Sequence, residues 1–175
     1  MKKENGKGKM AFIRKATIRD TPKIIRLWEA LMQHHRVELG YGKGIFEFRK
    51  DMATIYTRFL RKQIRSRKAA VFVAEEDAGI GKAGKLVGHI MVTIQKRPPI
   101  YVHDSEAGIG ELFVDPAHRR EGIATALMKE ALGWAKTKKA YSMSIMLSSR
   151  NSRALATYKK SGFSIHAFKM NKIIR

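Results

Sequence analysis

The sequence predicts a single domain of mixed α/β class. Three observations carry that expectation. With 175 residues and 44% apolar side chains, the chain is long enough to bury a core and too apolar for wholesale disorder. Strand-like runs are interspersed with segments of helical period, and no internal repeat or interdomain linker interrupts them. Charge is uneven: residues 1–70 carry 19 basic and 6 acidic side chains, residues 71–110 carry 4 and 5, and residues 111–175 carry 13 and 4. A nearly neutral, sheet-forming middle therefore lies between two basic flanks. The charged, glycine-containing start, residues 1–9, is expected to be a flexible basic tail, and residues 10–175 the domain.

Taken in order, Ala11–Arg19 reads as a first strand. Asp20 is a helix cap with Pro22 in the first turn, and Ile24, Leu27, Trp28, Leu31 and Met32 then recur at helical spacing up to His35. Gly40–Gly44 interrupts the chain before a second helix over Phe48–Arg67. Its apolar side holds Met52, Ile55 and Phe59, and its other face is strongly basic. Ala69–Glu75 and Leu86–Gln95 read as a hairpin around a glycine-rich turn at 77–84. Arg97–Pro98–Pro99 breaks the sheet, and Tyr101–Ala107 is a loop that can overhang a site. Gly108–Val114 is a strand, Gly122–Lys136 a helix, Tyr141–Leu147 a strand and Arg153–Lys160 a short helix. Gly162 ends it before two short strands near Phe163–Ala167 and Met170–Ile174.

Composition removes several chemistries. The absence of cysteine excludes disulfides, thiolate metal sites and cysteine nucleophiles. No apolar run approaches the roughly 18 residues that cross a bilayer, so no membrane span is expected. No apolar signal follows the polar start, and the expected location is cytoplasmic. The six histidines, at 34, 35, 89, 103, 118 and 166, show no metal-ligand spacing with a carboxylate partner, and no metal is expected. A net charge of +21 draws polyanions, nucleic acid included; a generally basic cellular background is the plainer account of it.

The most informative segment runs from Leu112 to Met128. Pro116 halts the strand because it cannot donate to a ladder. Gly122 permits a left-handed or close backbone approach, and Ala124 keeps the next position small. The helix beginning there offers unpaired N–H groups and a positive dipole end, with Arg119 and Arg120 beside it: a cradle for phosphate. The turn lacks the Gly-Lys-Ser/Thr ending of a P-loop and has no Gly-x-Gly-x-x-Gly fingerprint.

Arg119-x-x-Gly122-x-Ala124 resembles the Arg/Gln-x-x-Gly-x-Gly/Ala signature of the GNAT superfamily of acyl-CoA-dependent N-acetyltransferases. Asn151-x-x-Ala154-x-x-x-Tyr158-x-Lys160-x-Gly162-Phe163 is similar to a second family segment, and Ile13–Leu27 to the family's opening. Three matches in order span residues 11–174. The resemblance implies a central, mostly antiparallel twisted sheet, splayed between its fourth and fifth strands and flanked by helices. It implies acetyl-CoA as cosubstrate, with the pyrophosphate on the amides of Arg119, Arg120, Glu121, Gly122, Ile123 and Ala124. Leu112, Phe113 and Val114 would border the pantetheine, and the Val114 amide would lie near the thioester carbonyl. Asn151 would touch the pantetheine arm or its loop, and Tyr158 would lie near the sulfur.

Amine acetylation needs a base for the cationic acceptor and a proton for the departing thiolate. Glu111 is the candidate base, directly or through water. It shares a strand face with Phe113, opposite Leu112 and Val114, and a carboxylate in the apolar Ile109–Val114 run is costly unless paired, hydrated or functional. An edge-strand glutamate facing solvent is the alternative. His118 is a weaker base candidate because it belongs to the cofactor turn. By the resemblance, Tyr158 is the general acid. Replacing Glu111 by Gln is expected to depress the rate most at lower pH.

Tyr101, His103 and Glu106 are candidates for the acceptor pocket, with solvated loop residues the alternative. The acceptor is a primary amine on a small molecule or a protein, and a homodimer is carried as an open expectation. The rival function is a noncatalytic acyl-CoA- or nucleic-acid-binding module on the same scaffold.

Overall fold

The computed structural model describes residues 11–42, 44–79 and 84–174. The expected tail over 1–9, and residues 80–83 of the hairpin turn, lie outside them. One sheet holds five strands in chain order: β1 (Ala11–Lys15), β2 (Ala69–Glu76), β3 (Leu86–Lys96), β4 (Ser105–Val114) and β5 (Ser142–Ile145). β1 to β4 pair antiparallel, and β4 pairs parallel with β5. The helices are α1 (Thr21–Leu39), α2 (Met52–Arg65), α3 (Ile123–Thr137) and α4 (Ser152–Lys160). α3 provides the long crossover that a parallel pair requires. This is the mixed α/β architecture expected from the sequence.

Helices cover both faces of the sheet. Ala70, Phe72 and Ala74 of β2 pack with Leu127, Met128 and Ala131 of α3, while Val71 and Val73 pack with Ile24, Leu27 and Leu31 of α1 and Leu60 of α2. A strand buried on both sides reads as a continuous apolar run, and β2 does so over Ala69–Ala74.

The junction of β1 and α1 is fixed by charge. Arg14 donates to both carboxylate oxygens of Asp20 at 2.8 Å and to Glu75 of β2 at 2.6 Å. Asp20 also accepts from the Thr17 amide and hydroxyl. The Arg14 guanidinium is the main cause that holds the Asp20 carboxyl down at about 2. Asp20 thus contributes stability that is complete above its ordinary pKa near 3.8 and is lost as pH falls toward 2. Replacing Arg14 by Met leaves two largely buried carboxylates without a cation. A loss of roughly 2–4 kcal/mol is expected from the denaturation midpoint at pH 7.

Several boundaries differ from the sequence reading. β1 ends at Lys15, because Ala16 makes one further bond to Val71 and the chain then turns through Ile18–Asp20. Asp20 precedes α1 without capping it, its carboxylate being engaged by Arg14 and Thr17. α1 runs past His35 to Leu39, where Gly40 takes a left-handed φ of 71°. α2 is shorter than Phe48–Arg67, β4 begins at Ser105 inside the expected loop, and β5 is only four residues long. The two strands expected near Phe163–Ala167 and Met170–Ile174 are not formed. Apolar alternation there has no ladder to join: Phe168, Met170 and Ile174 are each about nine-tenths exposed. Among the described residues, no helix is long and apolar enough to cross a membrane.

Candidate active site

β4 and β5 pair only from Glu106↔Ser142 to Ile109↔Ile145. Beyond Ile109, β4 continues to Val114 against β3 alone, so the two parallel strands part. The opening is a cleft of about 1240 Å³ bounded by Gly110–Val114, Ser142–Leu147, the start of α3 and α4. This is the splay between the fourth and fifth strands.

A bulge sets what β4 presents to it. Met91 opposes Glu111 and Val92 opposes Ile109, leaving Gly110 unmatched. The extra residue flips the alternation. Ala107 and Ile109 therefore join Val114 on the α3 face, while Phe113 faces the α1–α2 core. The Asp115 amide donates to Val87, which makes Val114 and Gly88 a non-hydrogen-bonded pair. The N–H and C=O groups of Val114 and Leu112 consequently point away from β3, toward the side that β5 has left. The Val114 carbonyl is taken by Arg119 Nε at 3.3 Å. Its amide faces the opening.

At the mouth, Arg120 and Gly122 adopt left-handed φ values of 72° and 80°. Left-handed arginine is strained, and glycine at the second position avoids the Cβ penalty. Asp115 stabilises the approach by accepting from the Ala117 amide and from Lys85. The Arg119 amide, expected in the cradle, is instead taken by the Pro116 carbonyl, which closes the short turn over 116–118; among the described residues, no protein acceptor takes the N–H groups of 120–125. Six free amides, a helix dipole and two arginines make an anion site. Arg120 and Gly122–Ala124 line the cleft, whereas the Glu121 side chain is exposed outside it. Replacing Gly122 by Val forces a β-branched residue into a left-handed turn. If the turn holds the acetyl-CoA pyrophosphate that the family resemblance implies, acetyl-CoA affinity should drop at least about tenfold by calorimetry, with little change in fold.

Glu111 lines the cleft with its carboxylate sunk below it: the side chain is 8% exposed. Burial pushes its pKa up to about 8. The Tyr56 hydroxyl of α2 donates to Glu111 Oε1, and Tyr56 stacks flat on Trp28 of α1 with ring centres 4.0 Å apart. His89 of β3 is fully buried, and burial alone lowers its pKa to about 4, so it is neutral near pH 7. Its Nε2 lies 3.3 Å from Glu111 Oε1, but the angle is poor and neither ring nitrogen is hydrogen-bonded. We read this as neutral contact and not as an ion pair, since an imidazolium there would be desolvated.

Across the cleft, Tyr158 is 6% exposed and packs edge-on to Phe163 with ring centres 5.6 Å apart. Burial raises its pKa to about 12. Asn151 begins α4, and its side-chain oxygen accepts from the Ala154 amide. That cap uses Oδ1 and leaves the amide N–H₂ for the cleft, which Asn151 also lines.

The three acceptor-pocket candidates separate. Glu106 lines the cleft and accepts from Ser144 Oγ at 2.8 Å. His103 is exposed and stacks on Tyr141, itself a lining residue. Tyr101 lies outside the lining, under the Arg97 guanidinium. His118, the weaker base candidate, sits 2.8 Å from Glu76 at the cofactor turn. Sequence reasoning missed Tyr56, His89 and the bulge at Gly110, and it left His34 and His35 as helix-end residues although they line the cleft. His89 carried a signal: an imidazole inside the apolar run from Leu86 to Val92. Among the described residues, no cluster of three metal-ligating side chains occurs.

A model of the acetyltransferase (GNAT) family matches residues 27–163. An uncharacterized N-acetyltransferase of Methanocaldococcus jannaschii is 29% identical over 130 residues, covering 71% of this chain and 50% of that protein. The chain thus spans about half the length of the curated relative it matches. Among solved structures, a single-site mutant of a Bacillus halodurans protein superposes with a TM-score of 0.79 at 20% identity, covering 94% of this chain and 99% of that one. A predicted acetyltransferase with acetyl-CoA from Clostridium acetobutylicum gives 0.73 at 19%, covering 93% and 96%. An aminoglycoside N-acetyltransferase in complex with CoA gives 0.73 at 17%, covering 97% and 98%. At such identities the solved structures speak for the fold, and the family model, matching most of the chain, speaks for descent. With its parted strands and free amides at the start of α3, the chain belongs to the acetyltransferase (GNAT) family.

Proposed function

We propose that the protein transfers an acetyl group from acetyl-CoA to a primary amine by direct attack on the thioester. The observation that carries this reading is the parting of β4 from β5 beside six unpaired amides. A long, thin ligand with a pyrophosphate at one end and a reactive carbonyl at the other suits that space. The amides of 120–125 hold the pyrophosphate, and Leu112, Val114 and Asn151 border the pantetheine.

Glu111 takes a proton from the acceptor ammonium, directly or through one water: an N–H bond breaks and an O–H bond forms. The neutral amine then attacks the carbonyl carbon. Negative charge gathers on the carbonyl oxygen, where the Val114 N–H meets it; such a fixed dipole contributes about 3 kcal/mol. The C–S bond breaks and sulfur takes a proton from Tyr158; the second proton of the new amide nitrogen passes through solvent to restore the phenol, and Glu111 gives up its proton to solvent. Glu106 at the cleft wall suits a cationic acceptor.

An acetyl-CoA-dependent thiol-release screen against small amines and peptides, with mass detection of product, tests the reading. Release with a matching acetylated product is expected for at least one acceptor class. No release across a broad panel would overturn it.

A polyanion contact rests on a separate groove. Arg58, Arg61, Lys62 and Arg65 line a surface depression of about 540 Å³ on α2, and no acidic residue occurs from 52 to 74. Replacing all four by Gln should abolish any salt-sensitive gel shift of nucleic acid while leaving thiol release unchanged. A shift that is insensitive to these changes would remove α2 from the contact.

A further inference from the structure

The acetyl-transfer reading uses Glu111 but does not account for the group that holds it. Tyr56 belongs to α2, 55 positions away in sequence, and the helix turns its other face to solvent with the basic groove. An ordinary inward tyrosine would need only apolar neighbours and a polar outlet for its hydroxyl. Here the outlet is a carboxylate that is itself nearly buried. The ring has little freedom to leave it, being stacked on Trp28 at an interplanar angle of 5° and lying beside Phe59. Trp28 is 7% exposed and anchored in α1. The hydroxyl is thereby aimed by two helices at one oxygen of one strand residue.

We propose that Tyr56 is a positioning residue for the base, donating to Oε1 in favour of the ionised form of Glu111 and leaving Oε2 to take the proton. The inference rests on the acetyl-transfer reading for its role, and on the Trp28–Tyr56–Glu111 geometry for its existence. A phenol that donates to a carboxylate favours the charged form. It opposes the effect of burial, so that a sunken carboxylate still ionises near working pH. His89 gives no such help: it is neutral, and its contact with Oε1 is misdirected. Among the described residues, no protein donor reaches Oε2. Oε2 is the oxygen open to substrate or to a bridging water.

Other titratable groups that line the cleft include His34 and His35 on α1, Glu106 on β4 with Arg97 3.9 Å from it, and Tyr158 on α4. Burial lowers the pKa of His35, with His34 adding to the effect, so His35 is uncharged in the range where Glu111 titrates. Tyr158 also stays neutral there. Glu106 is the one remaining carboxylate in this group, and it is engaged by Ser144. The hydroxyl of Tyr56 is the direct control on Glu111.

Tyr56→Phe deletes that hydroxyl and keeps the ring on Trp28. With acceptor and acetyl-CoA, kcat/KM of the wild type should level off near pH 8. In the variant the bend should move up by about one pH unit, so that the rate is about tenfold lower at pH 7 and converges on wild type above the bend. The KM for acetyl-CoA should stay within about twofold, because Tyr56 is remote from the amide cradle. Carbon-13 NMR titration of the Glu111 carboxyl, without acceptor or acetyl-CoA, should show the same upward displacement. An unmoved titration overturns the proposal, as does a uniform rate loss at every pH. A displaced titration in a protein that transfers no acetyl group would overturn the acetyl reading and leave the Tyr56–Glu111 coupling standing.

Discussion

Replacing Tyr158 by Phe lowers acetyl transfer at saturating acetyl-CoA by about 10²-fold, while the dissociation constant for acetyl-CoA changes by less than about threefold. The ring is a core residue, packed on Phe163, and Phe keeps that packing. Only the hydroxyl is lost. Its chemistry follows from burial, which holds the phenol at about 12. The hydroxyl is therefore protonated at every working pH. It is also a weaker acid than a free thiol, whose pKa is about 8.5. In the proposed mechanism Tyr158 acts first by a hydrogen bond to the sulfur as charge develops, with proton transfer completed as the attacking nitrogen gives up its own proton. Single-turnover kinetics and calorimetry together check the split. An unchanged turnover removes Tyr158 from the chemistry.

Replacing Glu111 by Gln has the second large effect, and its pH dependence is distinctive. With Glu111 as the proposed base, the wild type needs the ionised carboxylate and the ammonium acceptor, so its kcat/KM should rise with pH up to about 8 and then level off. The Gln variant depends on acceptor that has lost its proton in solution, with a pKa near 10, so its rate keeps rising through that interval. The deficit should be largest below pH 8, about 10²–10³-fold, and should narrow above it. That matches the expectation drawn from the sequence and supplies its reason. Stability moves with the same group. The folded pKa is raised above the ordinary value near 4.5, so the associated stability is fully present below 4.5 and lost as pH rises through 8. Glu111→Gln should therefore melt progressively higher than wild type between pH 5 and pH 9 in calorimetry. Parallel melting curves, or a wild-type rate profile in the variant, would exclude Glu111 as the base.

Both variants depend on features of unequal legibility. The cradle was readable because its determinants are local: Pro116 stops a strand, Gly122 tolerates φ 80°, and a helix must begin next with unpaired amides. The pairing of β2 with β3 was readable for the same reason, since a hairpin joins neighbours in sequence. The coupling of Tyr56 to Glu111 was not, because it joins α2 to β4 across the core and Tyr56 has no local signature. The bulge at Gly110 was equally hidden. It changes which side chains face α3, yet a strand glycine serves just as well at a tight bend or where another backbone comes close. The expected terminal strands failed for a related reason. Alternation supplies a face, but a strand also needs a partner edge, and none pairs with residues 163–174.

The most direct measurement is a crystal structure of the protein soaked with acetyl-CoA. The pyrophosphate should lie within hydrogen-bond distance of the amides of 120–125, with the pantetheine between β4 and β5. The thioester oxygen should face the Val114 N–H, and the sulfur should lie near the Tyr158 hydroxyl. Acetyl-CoA bound elsewhere, or threaded through the cleft with its phosphates away from the start of α3, would contradict the account.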